Sequence, residues 1–185
     1  QGLSLMKFLS KFVNRKILEL TYIMHVRPHL EYGDVIYHNC ADYLMDQLES
    51  IQYQAGLIAT GCWKNTNRNK LYCELGWDSL SNRRHNRRLY NYHKIVQGES
   101  PEYLKKYVPL SPLPATASQR LKRSFFPYCF EKYNSLAPAL KTLNAHCFKN
   151  SLTKITKPKK KLIPNTPDLK GIKHLTCLRV GHSDL

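Results

Sequence analysis

Apolar residues recur every three or four positions along most of this chain, and no run alternates long enough to make a convincing strand. Between Leu5 and Met24, Leu5, Leu9, Phe12, Val13, Leu20 and Ile23 share one side of a helical wheel. Lys7, Lys11, Asn14 and Thr21 fall opposite, which predicts an amphipathic helix. Pro28 disfavours helix at Arg27 and is expected to break or kink it there. A second helix is predicted from Asp42 as N-cap through Leu44, Leu48, Ile51, Ala55 and Ile58, with Gly61 as its stop, and a short one from about Arg68 to Leu75, ended by Gly76. From Ser81 to Gln97 the pattern predicts a helix closed by Gly98, with His85, Leu89, Tyr92 and Val96 on one side. Arg83, Arg84, Arg87 and Arg88 cluster roughly opposite, because positions i, i+1, i+4 and i+5 share a sector of the wheel.

Beyond Gly98, Ser100-Pro101-Glu102 reads as N-cap, proline at the first position and an acid in the first turn. The Pro- and Ser-rich residues 109–118 have no periodicity and predict a linker. Short helices are expected from about Pro127 to Leu136 and, after Asn144 as cap, from about Ala145 to Ile155. The segment KPKKKLIPNTP from Lys157 predicts a second linker, and Asp168 a cap for a last helix carrying Leu175, Leu178 and Val180. Val35-Ile36-Tyr37 is the one candidate for a brief extended piece. The expected class is all-α: a thumb-like helical bundle over 1–108, a linker over 109–123, a short helical unit over 124–156, a basic linker over 157–167 and a terminal helix over 168–185.

Composition adds the nature of a partner. With 42% apolar and 11% aromatic residues the chain can bury a core. Its 29 Lys and Arg against 13 acids are unevenly placed, with 5 basic and 6 acidic groups in residues 1–62 and 24 against 7 in the rest. A strongly basic remainder points to a polyanion. The six cysteines contain no C-x-x-C pair, nothing reads as a signal peptide, and no run of eighteen apolar residues exists, so reduced thiols in an intracellular protein are expected. A chain that opens on Gln and stops without a closing signal is expected to be a piece of a longer one.

Three sets of residues invite a chemical reading. Glu31 and Asp34 flank a Tyr-Gly turn as metal-holding carboxylates would, but two-metal catalysis needs acids converging on ions about 4 Å apart, and no third acid lies within seven positions. The simpler reading is that Glu31 pairs with Arg27 and Asp34 caps a turn. Asp42, Asp46 and Glu49 suit the first turns of a helix by complementing its dipole. His25 and His29 stand at i, i+4 with Pro28 between them, and Cys177-x4-His182 is half of a zinc site, so no metal set is complete. The arginine stripe has no acid at i±4 and is expected to face a phosphate backbone. Lys157, Lys159, Lys160 and Lys161 make a basic run that fits a nuclear signal, a nucleic-acid contact or a plain linker. Trp63, Trp77, Tyr90 and Tyr92 are candidates for stacking on bases, Trp77 fitting core packing better.

Taken in order, these stretches resemble one family. Arg27-Pro28-His29-Leu30-Glu31-Tyr32-Gly33 is similar to the R-P-x-L-E-Y-G signature that lies downstream of the polymerase motifs in LINE-type retrotransposon reverse transcriptases, those without long terminal repeats. Leu48 to Gln52 is similar to an L-E-x-x-Q helix, Leu71 to Trp77 to L-x-x-E-L-G-W, residues 83–88 to a double-arginine helix, and Lys94 to Leu104 to K-I-x-x-G-x-x-P-x-Y-L. Ser124 to Pro127 and Gly171 to Leu185 are similar too. The chain departs from the family pattern in a shorter stretch between Pro109 and Ser124, in Tyr133 where Trp is common, and in ending before a Cys/His-bearing segment.

The resemblance implies the thumb and post-thumb region of an RNA-directed DNA polymerase. The family's aspartates lie in an aromatic-Ala-Asp-Asp turn upstream, so no enzyme activity is expected of this chain alone, and the Mg²⁺ of the parent enzyme would have no site here. It implies structural roles for Arg27, Pro28, Glu31, Tyr32, Gly33, Glu49, Gln52, Gly76 and Trp77. It also implies RNA, an RNA–DNA duplex or DNA as partner, held by Arg83, Arg84, Arg87, Arg88 and the lysines at 157 and 159–161. No membrane is expected as partner, the missing palm and fingers would be one, and the location would be nuclear and/or cytoplasmic. The alternative is an inert or repurposed helical protein-interaction domain from a decayed retrotransposon copy.

Overall fold

The structure is a computed structural model that describes residues 2–37 and 40–156. It is all helical among these residues: α1 (Gly2–Leu9), α2 (Arg15–Thr21), a π-helical turn (Tyr22–Val26), α3 (Arg27–Glu31), α4 (Asp34–Tyr37), α5 (Asp42–Thr60), α6 (Arg68–Leu75), α7 (Leu80–Gln97), a 3₁₀ turn (Glu102–Tyr107), α8 (Gln119–Lys122), α9 (Phe125–Asn134), α10 (Pro138–Lys141) and α11 (Ala145–Thr156). The basic run from Lys157 and the pair Cys177 and His182 lie outside the described residues. No helix among the described residues is long and apolar enough to cross a membrane.

Local signals place most helix ends. Asn67 accepts from the backbone N–H groups of Asn69 and Lys70 to start α6, and Ser79 accepts from that of Asn82 to start α7. Gly76 and Gly98 end the same helices at φ of 65° and 82°, the left-handed region where a Cβ is penalised. Two expectations need correction. The single helix over Leu5–Met24 is interrupted at residues 10–14, and Asn14 restarts it by accepting from the N–H of Ile17. Of the break or kink expected at Pro28, the break does not occur: the chain stays helical from Arg15 to Glu31, with the π turn just before the proline. There the N–H of Arg27 bonds the carbonyl of Tyr22, an i→i+5 step that loosens the spiral where the proline ring and missing N–H would disrupt an α-turn. Residues 35–37, the candidate extended piece, are helical, and Ser100-Pro101-Glu102 leads into a 3₁₀ turn.

The described chain forms two compact units, one of residues 2–29 and 50–77, the other of residues 30–37, 40–49 and 78–156. The expected boundaries at 108 and 123 therefore fall inside the second unit. In the first, Met6, Leu18, Tyr22, Ala55, Leu71 and Trp77 are buried. Tyr22 stacks on Trp77 at 4.2 Å and donates its hydroxyl to Gln52 Oε1 at 2.7 Å, which gives two of the motif positions, Trp77 and Gln52, a packing role. A Cβ at Gly56 would come within 3.0 Å of Leu71 and 3.1 Å of Leu75, so any larger residue there would require those leucine side chains to shift.

In the second unit α7 is the central element, touched by α4, the 3₁₀ turn, α9 and α11. Leu89, Tyr92, Cys129, Tyr133, Phe148 and Leu152 make the core. His93, fully buried, stacks on Phe148 and bonds Tyr133 through Nδ1 at 2.9 Å and the Leu143 carbonyl through Nε2 at 2.8 Å. A carbonyl only accepts, so Nε2 carries a proton, and in a neutral ring Nδ1 then accepts from the Tyr133 hydroxyl. Replacing Tyr133 by Phe removes that donor and is expected to cost about 1–3 kcal/mol in urea unfolding, whereas an unchanged midpoint would show the bond to be dispensable. Burial, opposed by the charge of Arg88, pushes the Cys129 thiol up to about 12, while Cys147 is exposed. In native protein at pH 8 a maleimide is expected to label Cys147 quickly and to reach Cys129 only after denaturation; equal native labelling of the two would contradict the core position of Cys129.

Candidate nucleic-acid interface

Four arginines on α7 face the same sector, as the wheel predicts, but the sector is not open to solvent. Residues 30–37 lie against it. Arg83 Nε donates to Glu31 Oε1, and Arg87 Nη2 donates to Glu31 Oε2 at 2.6 Å. Arg87 Nη1 reaches Asp34 Oδ2 at 3.0 Å and the Glu31 carbonyl at 2.9 Å. Glu31 thus bridges two arginines one helical turn apart, and Arg87 bridges two acids. The arginine side chains are about a third exposed, at 30% and 35%, but both acids are buried.

Arg84 and Arg88 go deeper, at 3% and 1% exposure. Arg88 lies over the Tyr128 ring, its guanidinium carbon 4.3 Å from the centroid, and its Nη2 donates to the Arg123 carbonyl at 3.1 Å. Neither Arg84 nor Arg88 forms an ion pair among the described residues. The expectation of a phosphate-facing stripe at Arg83, Arg84, Arg87 and Arg88 is therefore corrected: two members are buried and two are held by carboxylates. The reason is long-range. The acids that satisfy them lie more than fifty residues earlier, out of reach of an i±4 count.

Glu31 and Asp34 answer the arginines differently. Burial alone would raise the Glu31 carboxyl, but hydrogen bonds and charges from Arg83 and Arg87 together outweigh it and hold the group below its ordinary value. Asp34 has Arg87 without Arg83, and burial, aided by the charge of Glu31, keeps it above its ordinary value. Linkage gives the two opposite signs. Glu31 contributes stability that is present above its unfolded pKa and lost as pH falls through the lower folded one. Asp34 contributes stability that is lost as pH rises through its raised folded pKa. We expect melting temperature to fall below about pH 4, and Glu31→Gln to flatten that fall. A variant with the same acid limb as the wild type would show that Glu31 does not control it.

The other candidates scatter. Asp42 starts α5 and takes both terminal nitrogens of Arg123, at 2.9 and 3.1 Å, in an exposed pair that carries little energy. Among the motif positions, Glu49 is buried, Gly33 adopts a φ of 67°, and Tyr32 is 86% exposed. Of the stacking candidates, Trp77 and Tyr92 are buried, Trp63 is 68% exposed and Tyr90 half-buried. Among the described residues no three His, Cys, Asp or Glu side chains come together.

One grouping escaped the sequence. Lys149 of α11 and Lys94 of α7 place their ammonium groups 5.5 and 5.9 Å from the centre of the Tyr90 ring. The two lysines lie on helices far apart in the sequence, and only the i, i+4 relation of Tyr90 and Lys94 offered a signal. Comparison with known protein families, with curated proteins and with solved structures finds no match.

Proposed function

We propose that this chain is the thumb and post-thumb region of a LINE-type reverse transcriptase, without a polymerase site of its own, and that it holds RNA, an RNA–DNA duplex or DNA by the backbone. One observation carries the reading. Two of the stretches on which the resemblance rests, RPHLEYGD and the double-arginine helix, meet in one buried network, Glu31 and Asp34 against Arg83 and Arg87. Two motifs some fifty positions apart in the sequence then belong to one packed unit. The acids beside the Tyr-Gly turn hold a helix, which supports a non-catalytic role for them. Phosphate contacts fall to lysines that no acid neutralises rather than to the arginine stripe. An intracellular location, nuclear or cytoplasmic, goes with this reading.

The test is to mix the purified chain with a labelled RNA–DNA primer–template and Mg²⁺ or Mn²⁺. Neither extension nor cleavage is expected. Binding is expected, with affinity falling as salt rises by a log–log slope of roughly −0.7 to −0.9 per phosphate contacted. Template-dependent synthesis that survives repurification would overturn the first part, and no binding at 25 mM salt the second. A helical protein-interaction domain is the second reading. It is favoured by the exposed apolar side chains Leu5, Phe8, Phe12, Ile17, Leu20 and Met24 along α1, the turn after it, α2 and the π turn. A chain of that kind would show no salt-sensitive affinity for nucleic acid.

A further inference from the structure

The faces of α7 and α11 that carry Tyr90 and Lys149 bound a cleft of about 330 Å³, within the range of sites that enclose small ligands. Its wall includes Asn86, Tyr90, Asn91, Lys149, Leu152 and Thr153, with Arg83 and Arg87 alongside. The arginines make the wall rigid more than they make it positive, because Glu31 and Asp34 answer them. The surplus charge sits on Lys149 of the wall and on Lys94, which is outside the wall but reaches the same Tyr90 ring; neither has an acid partner among the described residues. Both ammonium groups rest over Tyr90, a contact worth about 0.5–1 kcal/mol at an exposed site, which a phosphate readily displaces. Tyr90 packs on the core of the unit, so the ring is fixed and the lysines are free to move.

Polar groups of the wall complete the picture. Asn86 Nδ2 donates to Thr156 Oγ1 at 2.6 Å, which leaves its Oδ1 without a donor among the described residues. The Asn91 amide can both donate and accept, a pairing that suits any base edge. Asp78, which accepts from the Asn82 amide, is the acid of the lining and keeps phosphate away from that end. A fixed ring, two mobile cations in reach of it and amides beside it match the repeating chemistry of a single nucleic-acid strand: a planar base between two phosphates.

We infer that this cleft seats one nucleotide unit of a single strand, its base on Tyr90 and its flanking phosphates on Lys149 and Lys94. The inference rests on the nucleic-acid reading and gives it a place. It is tested with the full chain and a fluorescein-labelled ten-nucleotide oligo-U, by anisotropy between 25 and 200 mM NaCl. Lys94→Gln with Lys149→Gln is expected to flatten the salt slope by about 1.4, two phosphates at roughly 0.7 each for a single strand. Tyr90→Ala is expected to weaken binding about tenfold at an unchanged slope, and Tyr90→Phe to stay within about twofold, since the stacking surface is retained. Lys105→Gln with Lys106→Gln, exposed lysines away from the cleft, serves for generic charge and is expected to flatten the slope by less than about half a unit. Equal losses in the two lysine doubles, or no loss in the first, overturn the cleft and leave nucleic-acid binding standing. A wild-type chain that does not bind the oligonucleotide overturns both. Phosphotyrosine competing as well as uridine monophosphate would remove the nucleotide from the assignment.

Discussion

Replacing Arg83, Arg84, Arg87 and Arg88 together by Gln is expected to unfold the unit built on α7. Glutamine is shorter than arginine and carries no charge, so the buried Glu31 and Asp34 would lose the ion pairs that Arg83 and Arg87 make with them. Breaking a buried pair by removing one partner costs about 3–5 kcal/mol, and the third-exposed guanidinium groups of Arg83 and Arg87 bring the figure toward the low end. Removal of Arg88 adds a void beneath Tyr128 and Phe125, over which its guanidinium lies. Against a total stability of about 5–15 kcal/mol these losses are large. The cooperative melt seen by far-UV circular dichroism should broaden or vanish. The single variants order the causes. Arg87→Gln should be the most damaging of the ion-pair changes, because Arg87 serves both acids. Arg84→Gln should be the mildest, because Arg84 has no carboxylate partner among the described residues. In a double-mutant cycle Arg87→Gln and Glu31→Gln should cost less together than the sum of the two, as groups in one network do. A quadruple variant that melts with the wild type would mean that the arginines face solvent after all.

That result would reverse what a helical wheel suggests, and the reason shows where sequence is informative. Helix ends depend on residues within a few positions of one another, such as Asn67 and Gly76 or Ser79 and Gly98, and these could be read directly. Which face of α7 is covered depends on residues 30–37, fifty positions away, and no local rule reports it. The helix is polar in sequence and central in its unit, and several of its polar groups find partners there: Glu31 for Arg83 and Arg87, Tyr128 for His85, Tyr133 for His93, Thr156 for Asn86, although buried nitrogens of Arg84 and Arg88 have no hydrogen-bond partner among the described residues. Net charge misled in the same way. The near-neutral first third and the basic remainder look segregated along the chain, yet Glu31, Asp34 and Asp42 of the former are counter-ions for Arg83, Arg87 and Arg123 of the latter. A linear charge map overstates the surface offered to a polyanion by the amount that folding neutralises. The resemblance implied structural roles for Glu31 and Asp34 but did not name Arg83 and Arg87 as what they hold.

Phe148→Ala is the second large effect expected, about 3–5 kcal/mol from one substitution. Phe148 is fully buried at the meeting of α11, α7 and α9. Its ring lies 4.1 Å from that of His93 at an angle of 11°, and 6.0 Å from Tyr133. Alanine would remove the surface that holds the His93 imidazole flat, and with it the alignment of the bonds to Tyr133 and Leu143. The loss therefore combines transfer of a large ring, a cavity and a weakened pair of buried hydrogen bonds. Ile155 on the same helix is 67% exposed, and Ile155→Ala should stay within about 0.5 kcal/mol. Both changes remove a large apolar side chain from α11, so helix propensity alone predicts similar outcomes and burial predicts a difference of several kcal/mol. Urea unfolding should be followed by far-UV circular dichroism and tyrosine emission, since Trp63 and Trp77 both belong to the other unit. A large shift of the midpoint for Phe148→Ala beside a negligible one for Ile155→Ala is expected. Equal midpoints for the two would place Phe148 outside the core and remove the wall on which α11 and its Lys149 are held.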